Sequence, residues 1–130
     1  MTEHGRPPHL PPVSEEMKAW SAALAGEIAD WAQVATRSFF GLTALYRKDR
    51  IFALLPRTRG METANSLAFR LESPSSATLI RVRNDSRVAS TRMQKARWFT
   101  FEISSDADLH EALDWLALAY NEAAKKSKSR

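Results

Sequence analysis

The chain has 130 residues, no cysteine and a formal net charge of +4, with 44% hydrophobic and 26% charged residues. That is the size and composition of one globular domain with a single core, and the missing cysteines exclude disulfides, thiolate zinc sites and thiol nucleophiles together. No apolar run reaches the roughly 20 residues that a membrane span needs, and the N-terminus lacks a positive-then-apolar signal pattern, so a cytoplasmic location is expected.

Residues 1–13 contain four prolines and a glycine, which predicts an extended or disordered arm before the domain. Ser14 has the chemistry of a helix N-cap, and Glu15 and Glu16 follow where acids favour the helix dipole. Met17, Trp20, Leu24, Ile28 and Trp31 then recur three or four apart, one face of an amphipathic helix. Gly26 lies inside that helix, where glycine costs about 1 kcal/mol against alanine, so close packing at this position is the expectation.

Val34–Phe40 is β-branched and aromatic and ends at Gly41. Leu42–Arg47 and Arg50–Leu55 form a hairpin pattern joined at Lys48-Asp49. Pro56 closes the second strand, and Arg57–Asn65 is a polar loop. Leu67, Phe69 and Leu71 alternate with polar or small residues, as in a half-buried strand. Ser73–Ser76 with Pro74 turns the chain into a short helix over Ser76–Arg83, although Leu79, Ile80 and Val82 fit a strand as well.

Asn84–Ala96 has the composition of a polar, basic loop. Trp98–Ile103 is a strand, with Phe99, Phe101 and Ile103 on its core face and Trp98, Thr100 and Glu102 on the other. Ser105 or Asp106 caps the last helix, whose stripe is Leu109, Leu113, Leu116, Tyr120 and Ala123, widened by Ala112, Trp115 and Ala119. Lys125 and Lys126 fall at its C-terminus, where the dipole favours cations, and 127–130 is a basic tail that frays. A run of strands between two long helices is the pattern of an α+β domain over 14–126: an antiparallel sheet with both terminal helices on one face and a short helix inserted between strands.

Charge is sorted along this pattern. Arg37–Arg97 carries thirteen bases against four acids, whereas Trp98–Ala124 carries six acids and no base. The candidate anion-binding set is Arg47, Lys48 and Arg50 at a hairpin tip, Arg57 and Arg59 in the following loop, Arg81 and Arg83 on the short helix, and Arg97. Guanidinium forks suit phosphate and carboxylate, and Trp98, facing away from the core set, either stacks a base or a partner side chain or is covered by the Asn84–Ala96 loop. The opposing explanation is a solvated or self-neutralising face, because exposed strands use charge to avoid aggregation.

Catalytic constellations are missing. His4 and His9 lie in the arm and His110 stands alone on a polar helix face, so no convergent metal-ligand set or triad base is present. Asp106, Asp108, Glu111 and Asp114 open a helix, where acids serve the dipole. Glycines 5, 26, 41 and 60 form no phosphate loop. No catalytic residue, metal or cofactor is expected.

Two segments resemble a known group of small domains. Phe40–Leu54 (FGLTALYRKDRIFAL) is similar to the N-terminal hairpin of the TfoX type, and Lys95–Ile103 with Asp108-Leu109 and Leu116–Tyr120 is similar to the closing segment of the MmcQ/YjbR type. The chain departs from the TfoX pattern in its Arg57–Asn65 loop, so the broader MmcQ/YjbR-like and TfoX-like superfamily is the better description. The resemblance implies a sheet flanked by terminal helices and no enzymatic residues; some members carry a DNA-binding name, and TfoX is associated with regulation of competence. The expected function is therefore a non-enzymatic binding or regulatory module with nucleic acid or an acidic protein as partner and no membrane role. The competing expectation is a protein-interaction module, monomer or homodimer, without a nucleic-acid role.

Overall fold

The computed structural model describes residues 12–61, 63–90 and 97–124. The proline-rich stretch 1–11, residues 91–96 of the expected loop, and the tail with Lys125 and Lys126 lie outside these residues. Within them the order is α1 (Glu15–Ala29), β1 (Val34–Phe39), β2 (Leu42–Arg47), β3 (Arg50–Pro56), β4 (Ser66–Arg70), α2 (Ser76–Asn84), β5 (Val88–Ser90), β6 (Trp98–Glu102) and, after a 3-10 turn at Asp106–Asp108, α3 (Leu109–Ala123). The six strands form one antiparallel sheet in the order β1-β2-β3-β4-β6-β5, confirming the α+β architecture.

Alternation decides which face each strand buries. Leu45, Ala53, Leu67, Phe69, Phe99 and Phe101 pack with Met17, Leu24 and Ile28 of α1 and Ala112, Trp115, Leu116 and Ala119 of α3. Both long helices therefore cover one face. Phe69 stacks between Phe99 and Trp115, with ring centroids 5.8 and 5.4 Å away. The other face holds a smaller cluster of Leu42, Ala44, Leu54, Ala68 and Trp98, against which Tyr46, Ile51 and Met61 pack. Central strand β3 is thus buried on both sides. Its register slips by one residue opposite Leu45 and Tyr46, leaving Phe52 as the extra residue of a bulge, where it meets the Tyr120 ring at 5.6 Å.

Several expectations are corrected. Gly26 has open space around its missing Cβ and an exposed position, so no close packing explains it. The α3 stripe is rotated toward Ala112, Trp115, Ala119 and Glu122, while Leu109, Leu113 and Tyr120 are only half-buried. Neither Ser105 nor Asp106 caps α3 with its side chain; Asp108 accepts the Ser104 N–H instead. A short strand, β5, lies inside the stretch expected as loop, because Val88–Ser90 pairs with Phe99–Phe101 and buries Val88. At the start of the domain Pro12 bridges Arg59, and Ser14 caps α1 by accepting the Met17 N–H.

Candidate functional site

Strand direction assigns the basic residues of the strands and their connecting turns, among those described, to the two ends of the sheet. The β2–β3 turn at Lys48-Asp49 defines the first end. Since Ala53 pairs with Phe69, and Arg70 with Trp98, the C-terminus of β4 and the start of β6 lie at that end too. Leu71 closes the connection by donating its N–H to the Arg97 carbonyl. Helix α3 also terminates here: Ala123 and Ala124 line one depression with Gln33 and the Arg47–Arg50 turn. Arg47, Lys48, Arg50, Arg70 and Arg97 therefore gather at one end.

Their roles there differ. Arg47 is consumed by the fold, its guanidinium 4.1 Å from the Tyr120 ring centroid and Nη1 donating to the Tyr120 carbonyl at 3.2 Å. That contact satisfies a carbonyl in the last turn of α3 and places a cation at its negative end. Lys48 and Arg97 are exposed, and both adopt left-handed backbone, φ 57° and 63°. Arg50 is half-buried, and Arg70 is paired with Glu72. Arg70 lies outside the candidate set, because its alternation with Phe69 and Leu71 marks only a strand surface.

The remaining candidates lie elsewhere. Arg57 and Arg59 sit at the opposite end, roughly 20 Å away along β3, where the N–H groups of Arg57, Thr58 and Arg59 converge on the Gly41 carbonyl. Gly60 completes this loop; a Cβ there would lie 2.2 Å from the Thr63 carbonyl oxygen. Arg81 lies over Trp115 at 4.8 Å, and Arg83 is exposed on the last turn of α2. Trp98 is 6% exposed within the smaller cluster, so its ring is covered rather than presented for stacking.

Sequence reasoning missed the densest polar contact of the described residues. Arg87 grips Asp85 with two hydrogen bonds, Nε to Oδ1 at 3.0 Å and Nη2 to Oδ2 at 3.1 Å, while Nη1 bonds Asp108 at 3.0 Å and pairs with Glu111. Trp115 Nε1 donates to the same Asp85 carboxylate at 3.2 Å, and the guanidinium covers the Phe101 ring at 5.0 Å. Burial raises the Asp85 carboxyl, but the Arg87 and Trp115 hydrogen bonds outweigh it and hold it below the ordinary value. The Ser104 N–H and then Arg87 lower Asp108 against its own partial burial, and the Arg87 guanidinium is raised by its acidic partners. This clamp joins the end of α2, the start of β5 and the start of α3.

The helix-start acids are spent on similar contacts: Asp106 accepts Trp20 Nε1 at 2.6 Å, and Asp108 serves both Ser104 and Arg87. His110 is 84% exposed, its Nε2 3.8 Å from Asp114. Among the described residues no group of three or more His, Asp or Glu side chains could hold a metal ion, and no helix is long and apolar enough to cross a membrane.

The arrangement accounts for the sorted charge. Ser14 at the start of α1 bonds Asn65, and the start of α3 follows β6, so both helices begin at the end away from the Lys48-Asp49 turn. Their first turns hold Glu15 and Glu16 in one case, and Asp106, Asp108 and Glu111 in the other. The segregated charge is thus partly a complement to two helix dipoles pointing the same way. Comparison with protein-family models, curated proteins and solved structures finds no match for this chain.

Proposed function

We propose that this chain is a non-enzymatic module that binds nucleic acid weakly, and largely without regard to sequence, through the sheet end marked by the Lys48-Asp49 turn. The observation that carries the reading is that Lys48 and Arg50, with Asp49 between them, and Arg97 fall at the same end of the sheet as the terminus of α3, while the helix-start acids lie at the other. Arg47 orders the turn rather than contacting the ligand. The MmcQ/YjbR-like resemblance, some of whose members carry a DNA-binding name, points in the same direction.

Binding of this kind is phosphate neutralisation, with counterion release as its driving force, so affinity falls steeply as salt rises. Fluorescence anisotropy of a labelled duplex at low and at physiological salt tests it. The expected result is binding at low salt with a negative log–log salt slope and little difference between unrelated duplex sequences. No binding at low salt overturns the reading.

A further inference from the structure

Strand β1 is an open edge of the sheet with unusual features for a strand left to solvent. Ala35–Phe39 is exposed throughout, and the strand carries one charge, Arg37, with no proline and no bulge. Natural edges are ordinarily blunted by such devices. The other edge, β5, is three residues long.

The backbone groups of β1 without a partner among the described residues follow from its register. Lys48 N–H donates to the Gln33 carbonyl at 2.9 Å, so odd-numbered residues carry the ladder to β2. The N–H and C=O of Thr36 and Ser38, and the C=O of Val34, therefore point outward.

Phe40 supplies a second, independent observation. It is 80% exposed and stacks edge-on to Phe39 at 4.9 Å, yet it occupies the first position of a two-residue turn at φ 50°, with Gly41 at φ 82°. That turn type favours Asn-Gly, and a bulky residue at positive φ is strained. An exposed, strained aromatic at a hairpin tip is better explained by an intermolecular contact than by folding. A shallow depression lined by Trp31, Ala32, Ala117, Tyr120 and Asn121 lies beyond the opposite terminus of β1.

We propose that two copies of the chain pair antiparallel through β1, about a two-fold axis at Thr36. This register bonds Thr36 to Thr36 of the second copy and the Ser38 N–H to its Val34 carbonyl, and it sets Arg37 beside Ala35. Centring on Arg37 instead would oppose two guanidinium groups. The Thr36 register brings the Phe40 tip of each copy opposite Ala32 of the other, against the depression beside Trp31. An identical strand is the occupant that this edge matches, because in the Thr36 register each outward group of Thr36, Ser38 and Val34 meets its complement and no like charges are opposed. The dimer is isologous, with one continuous sheet and all four long helices on the same face.

Sedimentation equilibrium of the full chain tests the pairing. Wild type is expected to show a concentration-dependent monomer–dimer equilibrium. Thr36→Pro removes an outward N–H without touching the β1–β2 ladder and should weaken the dimer at least about tenfold. Phe40→Asn relieves the turn, so it should raise the melting temperature of the monomer while weakening the dimer by a similar factor, which separates lost association from lost folding. A wild type that stays monomeric at every concentration, or a Phe40→Asn variant that dimerises as wild type does, overturns the proposal.

Discussion

The Arg47 guanidinium lies 4.1 Å from the Tyr120 ring centroid and donates to the Tyr120 main-chain carbonyl, clamping the β2–β3 hairpin to the terminus of α3. Tyr120 is itself fixed on its other sides, its hydroxyl donating to Ala32 at 2.7 Å and its ring meeting Trp31 at 5.0 Å. One side-chain pair thus joins β2, α3 and the α1–β1 connection and orders the turn that carries Lys48. Arg47→Gln should therefore lower stability by about 1–2 kcal/mol through the lost cation–π contact and carbonyl bond. Lys48→Gln should leave stability nearly unchanged and weaken duplex binding. Thermal melts and anisotropy on the two variants check this crossed outcome.

Gly26 stands in an exposed helical position with nothing near its missing Cβ. Gly26→Ala should stabilise the fold by about 1 kcal/mol, the ordinary propensity difference, in a denaturant titration. Gly60→Ala should do the reverse and cost more, since its Cβ would clash with main chain at Thr63.

The Arg87 clamp predicts an acid-sensitive fold. Asp85 and Asp108 are held below their ordinary values in the folded state, so the unfolded chain binds more protons as pH falls. Their stabilisation is complete above the unfolded carboxylate range near pH 4 and is lost as pH drops through the lowered folded values. Asp85→Asn should destabilise the protein at neutral pH and flatten the acid limb of its stability profile. Urea midpoints measured between about pH 2 and pH 7 would show both effects.

The sequence made the α+β architecture legible because α1 and β6 each announced their apolar faces and the β2–β3 hairpin its strands and turn. It failed where tertiary contact overrode local pattern. Val88–Ser90 is too short and polar to read as a strand until β6 lies beside it. Glu122 is buried because the Ser73 N–H needs its carboxylate, a demand invisible in the spacing of α3. Alternation puts Trp98 on the second face, but its covering by a smaller cluster depends on residues far away in the chain. The basic set was legible as a composition and not as a place, since strand order alone decides that Arg97 joins Lys48 and that Arg57 does not.

The most direct test of the account compares charge reversal at the two ends of the sheet. Lys48→Glu with Arg97→Glu, and separately Arg57→Glu with Arg59→Glu, change net charge equally, so non-specific attraction through total charge would treat them alike. With anisotropy at low salt, the account predicts that the first pair abolishes duplex binding and reduces the salt slope, while the second pair leaves both close to wild type. Equal losses from the two pairs would contradict it.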